Sequence, residues 1–160
     1  MRLIDCSYFY DGPLQIENAA DTGGLDNNSY AVQEAIGSYI DRFQDDFLRK
    51  MVGDALADEI EQRMENVDTD DIEDLLERLR LPFAHYVYFK MVGDVNQVMT
   101  ITGLVRLKSA NDSQPPRQRM VSVWNEMVEL NKRFVRWAAE SNYDVYYRVN
   151  MVTPINQFNI

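Results

Sequence analysis

The chain holds one imidazole, His85, and one thiol, Cys6, and neither lies in a pattern that could run a reaction. His85 precedes Tyr86 at the opening of a helical stretch, where a polar or packed histidine accounts for it better than general-base work. Cys6 lies in an apolar run and reads as a small buried hydrophobe. One His and one Cys fall short of the nitrogen and sulfur donors of a zinc site. The carboxylates of Asp68-x-Asp70-Asp71-x-Glu73-Asp74 have the look of a calcium loop. Glu73 stands where that loop needs its turn glycine, however, and Leu79 stands where it needs a bidentate carboxylate. A helix start, with acids at the positive end of the helix dipole, explains them. The sequence contains neither a G-x-x-x-x-G-K-[ST] phosphate loop nor a G-x-G-x-x-G turn, and Gly23-Gly24 is only a loop signal. The expectation is a chain that is not an enzyme and carries no metal or cofactor.

The elements predict a mainly α fold in a single domain of 160 residues, about five helices with short β arms. Residues 1–19 read as a β-hairpin, with Asp11-Gly12-Pro13 as its turn and residues 18–28 as a polar loop. Asn28 or Ser29 caps the first helix, whose stripe runs Val32, Ile36, Tyr39, Ile40, Phe43, Phe47 and Met51. Gly53 ends it, and Asp54 opens a second with Leu56, Ile60 and Met64 inside. Asp68 to Asp71 open a third over Ile72, Leu75, Leu76 and Leu79. Pro82 starts a fourth, carrying Phe83, Tyr86, Val87, Lys90, Met91, Asp94, Val95 and Val98. Residues 99–110 read as a strand or hairpin around Gly103, and Asn111 to Pro116 as a loop. The fifth helix aligns Met120, Trp124, Met127, Val128, Asn131, Phe134, Val135 and Ala138, and residues 142–160 form an extended tail. The pentapeptide Lys50-Met51-Val52-Gly53-Asp54 recurs at Lys90-Met91-Val92-Gly93-Asp94, but its flanks do not repeat, so it is read as coincidence or as two similar helix ends and not as duplication.

Charge and aromatic content bear on partners. Net charge is −10, and it is uneven: residues 1–80 carry 7 Lys/Arg against 20 Asp/Glu, residues 81–160 carry 9 against 6. An acidic excess of that size excludes wrapping DNA or an anionic membrane, and no apolar run is long enough to span a bilayer. The first residues carry no signal-peptide pattern, and one cysteine makes no internal disulfide. The asymmetry suits contacts in which the acidic part of one copy meets the basic part of another. Tyr143, Tyr146, Tyr147 and Phe158 crowd a tail without helical period. Such a tail either folds back on its own domain or docks on a neighbour.

The order of segments resembles that of head–tail connector proteins of tailed bacteriophages. Ala35 through Ile40, Phe47-Leu48-Arg49-Lys50-Met51-Val52-Gly53 and Ala55-Leu56 are similar to the opening of that family. Tyr86-Val87-Tyr88-Phe89-Lys90, then Thr100 through Asn111, then Val123-Trp124-Asn125-Glu126-Met127-Val128 look like its later half. The similarity covers residues 29–140. It implies a structural virion protein assembled in the host cytoplasm and located in the neck. Such proteins form a ring of about a dozen copies under the portal vertex. The implied partners are the portal protein, further copies of the chain and the next neck or tail protein, with DNA only as passing cargo through an acidic lumen and no membrane. On this reading Ile101, Leu104, Arg106 and Lys108, with Tyr143, Tyr146, Tyr147 and Phe158, are the candidate partner-binding residues. Removing residues 142–160 is expected to block docking while leaving the helices intact. The alternative is a small acidic regulator that imitates nucleic acid and binds a basic host protein. Turnover at His85 is the reading from a third class.

Overall fold

The computed structural model describes residues 1–20, 27–97, 116–141, 143–156 and 158. Four helices build it: α1 (Asn27–Val52), α2 (Asp54–Glu65), α3 (Glu73–Gln97) and α4 (Pro116–Glu140). α1 packs on α2 and α3, and α3 runs antiparallel along α4. Residues predicted inside on α1, α2 and α4 are largely buried there, from Val32, Ile36 and Phe47 through Ile60 and Met64 to Met127 and Phe134. α1 opens at Asn27, so Ser29 lies within its first turn. Among the described residues no helix is long and apolar enough to cross a membrane.

α3 corrects the expected third and fourth helices. They are one helix with Pro82 inside it. Proline removes one helical hydrogen bond and normally ends or kinks a helix. Here the turns on both sides of it are held by burial. Leu79, Phe83, Ala84, Tyr86, Val87 and Tyr88 are covered from α1, from α4 and from the N-terminal segment. A helix surrounded in this way has no single apolar stripe, which is why its periodicity looked broken.

The N-terminal hairpin is also corrected. Residues 1–20 form two 3-10 turns, Cys6–Phe9 and Gly12–Leu14, and among the described residues there is no strand. The Asp5 carboxylate accepts from Ser7 N at 2.8 Å and caps the first turn, while Gly12 takes φ +72° at the second. Leu3, Ile4, Phe9, Leu14 and Ile16 all point inward against the helices, so no second face remains for a ladder partner. Arg2 fixes the start of the chain with paired bonds to Asp41 at 2.6 and 2.7 Å. Cys6 is partly buried and its thiol donates to Gln33 O; burial pushes that thiol up from its ordinary value. The predicted strand or hairpin at 99–110 lies outside the described residues.

The corner after α2 is strained. Asp68 N donates to Arg63 O at 3.0 Å and Val67 N to Met64 O at 3.3 Å, the paired bonds of a Schellman cap that places its key residue in the left-handed region. That residue is Val67, at φ +55° and 78% exposed, where glycine or asparagine is the usual occupant. A left-handed β-branched residue costs about 1–2 kcal/mol. Val67→Gly is therefore expected to raise the unfolding free energy by about 1 kcal/mol, after allowance for the greater freedom of glycine in the unfolded chain. Urea unfolding measures this, and a destabilised variant refutes the assignment of strain.

Candidate interaction surface

The C-terminal tail is strapped across its own domain through its peptide groups. The last carbonyls of a helix have no intrahelical partner, and the tail serves two of them at the end of α1. Tyr146 N donates to Val52 O at 3.1 Å and Arg148 N to Lys50 O at 2.7 Å. The strap then follows α4 and makes a short 3-10 turn, Val149–Val152. Asn131 Nδ2 donates to Met151 O at 2.8 Å and Trp124 Nε1 to Thr153 O at 3.0 Å. Asn125 pairs with both peptide groups of Ile155, donating to its carbonyl at 3.0 Å and accepting from its N–H at 2.9 Å. Met151 plugs the core, fully buried.

Gly53 makes room for the strap. It sits at φ +87°, and a Cβ there would come within 2.9 Å of the Tyr146 Cβ. The same pentapeptide at Lys90–Asp94 lies inside α3, where Gly93 meets only the end of the Met120 side chain at 3.3 Å. One sequence thus ends a helix where a tail caps it and continues a helix where neighbours cover it.

The tail candidates divide between an inner and an outer face. Tyr143 belongs to the inner one: its ring stacks 5.6 Å from Trp137 and its hydroxyl donates to Asp71 O at 3.3 Å. Tyr146 (69% exposed), Val149 (74%) and Phe158 (86%) face outward. Tyr146 and the partly exposed Tyr147 flank a recess of about 410 Å3 with Arg49, Gly53, Asp54 and Arg148. Ile101, Leu104, Arg106 and Lys108 lie outside the described residues. Removal of residues 142–160 cannot leave the helices undisturbed as expected, because it would uncover the seat of Met151 and two carbonyls of α1.

His85 lines a recess of about 620 Å3 with Ser122, Asn125, Glu126 and Arg133. His85 Nδ1 donates to Leu81 O at 2.9 Å, which places the proton there, and Nε2 lies 3.4 Å from Glu126. Ser122, which lines the same recess, donates to Glu126 at 3.1 Å. A carboxylate thus stands between hydroxyl and imidazole, the reverse of the nucleophile–base–carboxylate order that activates serine. Among the described residues no group of three or more His, Cys, Asp or Glu could hold a metal ion.

A polar cluster between α1 and α3 was visible only as two polar residues, Lys90 and Asp94, on an apolar stripe. Tyr86 OH donates to Asp46 at 2.7 Å, and Lys50 Nζ donates to Asp46 at 2.7 Å and to Tyr86 OH at 3.0 Å. Lys90 Nζ lies between the Phe43 and Tyr86 rings, 5.4 and 5.2 Å from their centroids, at cation–π distance. Burial raises the Tyr86 phenol well above its ordinary value, and the bond to Asp46 adds to it. Burial and the Lys50 charge lower the Lys90 ammonium. Burial pushes the Asp46 carboxyl up, but the bonds from Lys50 and Tyr86 and the two lysine charges outweigh it and leave it lowered. The cluster clamps α1 to α3. The amides that seat the tail were missed as a pair, although Asn131 on the apolar stripe of α4 was their signal.

No family model matches the chain, and neither a curated protein nor a solved structure is significantly similar to it.

Two measurements check this geometry. Gly53→Ala should cost about 2 kcal/mol and speed proteolytic release of the tail, whereas Gly93→Ala should be neutral or slightly stabilising. Equal effects of the two would refute the seating of Tyr146. The lowered Asp46 carboxyl contributes stability that is present above its ordinary value of 3.8 and lost as pH falls through its native value. Asp46→Asn should therefore flatten the acid limb of a stability–pH profile, and parallel limbs would remove Asp46 from the account.

Proposed function

We propose that this chain is a structural adaptor of the neck of a tailed bacteriophage, seated on the portal vertex and joining the portal to the next neck or tail protein. The observation that carries the reading is the outer face of the strap. Its backbone is fixed at six hydrogen bonds, from Tyr146 to Ile155, while Tyr146 and Val149 are held out toward solvent, with Phe158 exposed just beyond the last bond. Aromatic side chains on an immobilised backbone give up little entropy on docking, which suits an assembly contact. The helical architecture and the order of segments that resembles head–tail connectors support the same reading. The uneven charge supports assembly of copies head to tail.

The rival reading, imitation of nucleic acid, calls for free carboxylates in phosphate-like array. Most acids of α1 and α2 lie beside a basic side chain instead. Arg49 lies within ion-pair distance of Asp45, Asp54, Asp58 and Glu61, and Arg63 within that distance of Glu59 and Asp71. Arginines that neutralise carboxylates along a helix surface favour a structural role for them.

The test is capture of the full chain by immobilised portal protein encoded in the same genome. Tyr146→Ala with Phe158→Ala should weaken capture at least tenfold with unchanged helicity and melting, since both side chains lie on the surface. Capture that is unaffected by the pair, or absent from the wild type, refutes the adaptor reading.

A further inference from the structure

The geometry points to a knob-and-groove contact between copies of this chain, in which the acidic corner around Val67 of one copy enters the groove between α3 and α4 of the next. This inference rests on the adaptor reading and names the surfaces by which its copies would join.

The knob is the strained corner. Val67 is apolar, 78% exposed and held in the left-handed region by a Schellman cap. Strain of this kind persists where the surrounding structure enforces it, and it concentrates at sites of function. Glu65, Asp68, Asp70 and Asp74 flank the knob along the chain, all exposed, and none forms an ion pair among the described residues. The result is an exposed apolar residue on an acidic stretch of chain.

The groove has the opposite design. Leu81 (44% exposed), the half-buried Leu130 and the buried Pro82 and Phe134 line a recess of about 310 Å3 together with Arg78, which also lies 4.5 Å over the Trp137 ring, Arg133 and Glu77. Arg133 is exposed and forms no ion pair among the described residues, and Arg136 follows it on the same stretch of α4. An exposed leucine between arginines suits an apolar tip on an acidic stretch of chain, and the chain itself carries one.

The two surfaces are different patches, joined along α3, where Asp74 of the corner precedes Arg78 of the groove by one turn. Phe83, Tyr86 and Lys90 face α1, with ring centroids of Phe47 and Phe83 5.1 Å apart. Leu81 is rotated about 160° from Phe83 around the axis of α3, so the groove opens away from α1. A knob and a groove that are different patches form a heterologous contact, which propagates head to tail and closes when the rotation per copy allows it.

Sedimentation of the full chain tests the contact, with portal capture followed in parallel. Wild type should self-associate, less so as salt rises, and Val67→Asp and Arg133→Glu should each weaken association at least tenfold. Val67→Gly is the decisive variant, because it should associate less while folding more stably, so that unfolding cannot account for the loss. A chain carrying Arg133→Glu should pair with one carrying Asp68→Arg and Asp70→Arg, although each associates poorly alone. Wild type that stays monomeric at ~1 mM in low salt, or association that none of these variants changes, overturns the inference. Loss of portal capture by the groove variants with self-association intact also overturns it, because the groove then serves the portal. Failure of wild type to be captured by portal while the charge-swapped pair still forms refutes the adaptor reading and leaves the knob-and-groove contact standing.

Discussion

Peptide groups at the ends of regular structure need partners, and the placement of the tail follows from how this chain meets that need. The final turn of α1 leaves carbonyls open, the tail brings N–H groups without a sheet to join, and each supplies what the other lacks. Gly53 has to lack a side chain because the tail passes over it. Met151 can plug the core because the backbone on both sides of it is tied down. The exposure of Tyr146, Val149 and Phe158 is then a consequence of geometry: a strap secured on one side presents its other side to solvent. Asn125, Asn131 and Trp124 of α4 extend the same principle, taking the place that a neighbouring strand would fill in a sheet.

Charge operates by a different rule. Most acids on α1 and α2 sit within reach of an arginine, and Arg49 alone serves several. Such exposed pairs contribute little to stability individually. Their value is to let acidic helices pack side by side without repulsion. The corner at Val67 lacks that compensation, as does Arg133 on α4, and this contrast separates surfaces that the chain neutralises internally from surfaces it leaves charged.

Helices with one wet side were legible in the sequence. α1, α2 and α4 each have a solvent face and a core face, so hydrophobic spacing located them and largely named their buried residues. α3 was divided at Pro82 because it is enclosed on several sides, and enclosure erases the contrast on which periodicity depends. The N-terminal segment alternated like a strand, yet Leu3, Ile4, Phe9, Leu14 and Ile16 all turned inward, and the turn-forming power of Asp5 and Gly12 decided its local shape. The repeated pentapeptide is the clearest case: five identical residues give a helix end in one place and a helix interior in another, decided by contacts almost a hundred residues away in the chain. Of the candidate surface, the aromatic content of the tail was readable, whereas the division into anchored and outward residues was not. That division depends on which peptide groups Asn125 and Asn131 reach. The corner at Val67 left no trace at the sequence level, since nothing in an isolated valine announces a left-handed backbone.

A seat that recognises main chain is indifferent to most of the side chains it holds. Met151 must remain large and apolar, and position 53 must remain bare, but the outward positions of the strap can change identity without loosening their own attachment. Such a protein can acquire a new mating specificity by surface drift alone, one residue at a time, while its scaffold stays as it is. A lineage that must keep pace with altered neighbours would find in this arrangement an inexpensive way to diversify.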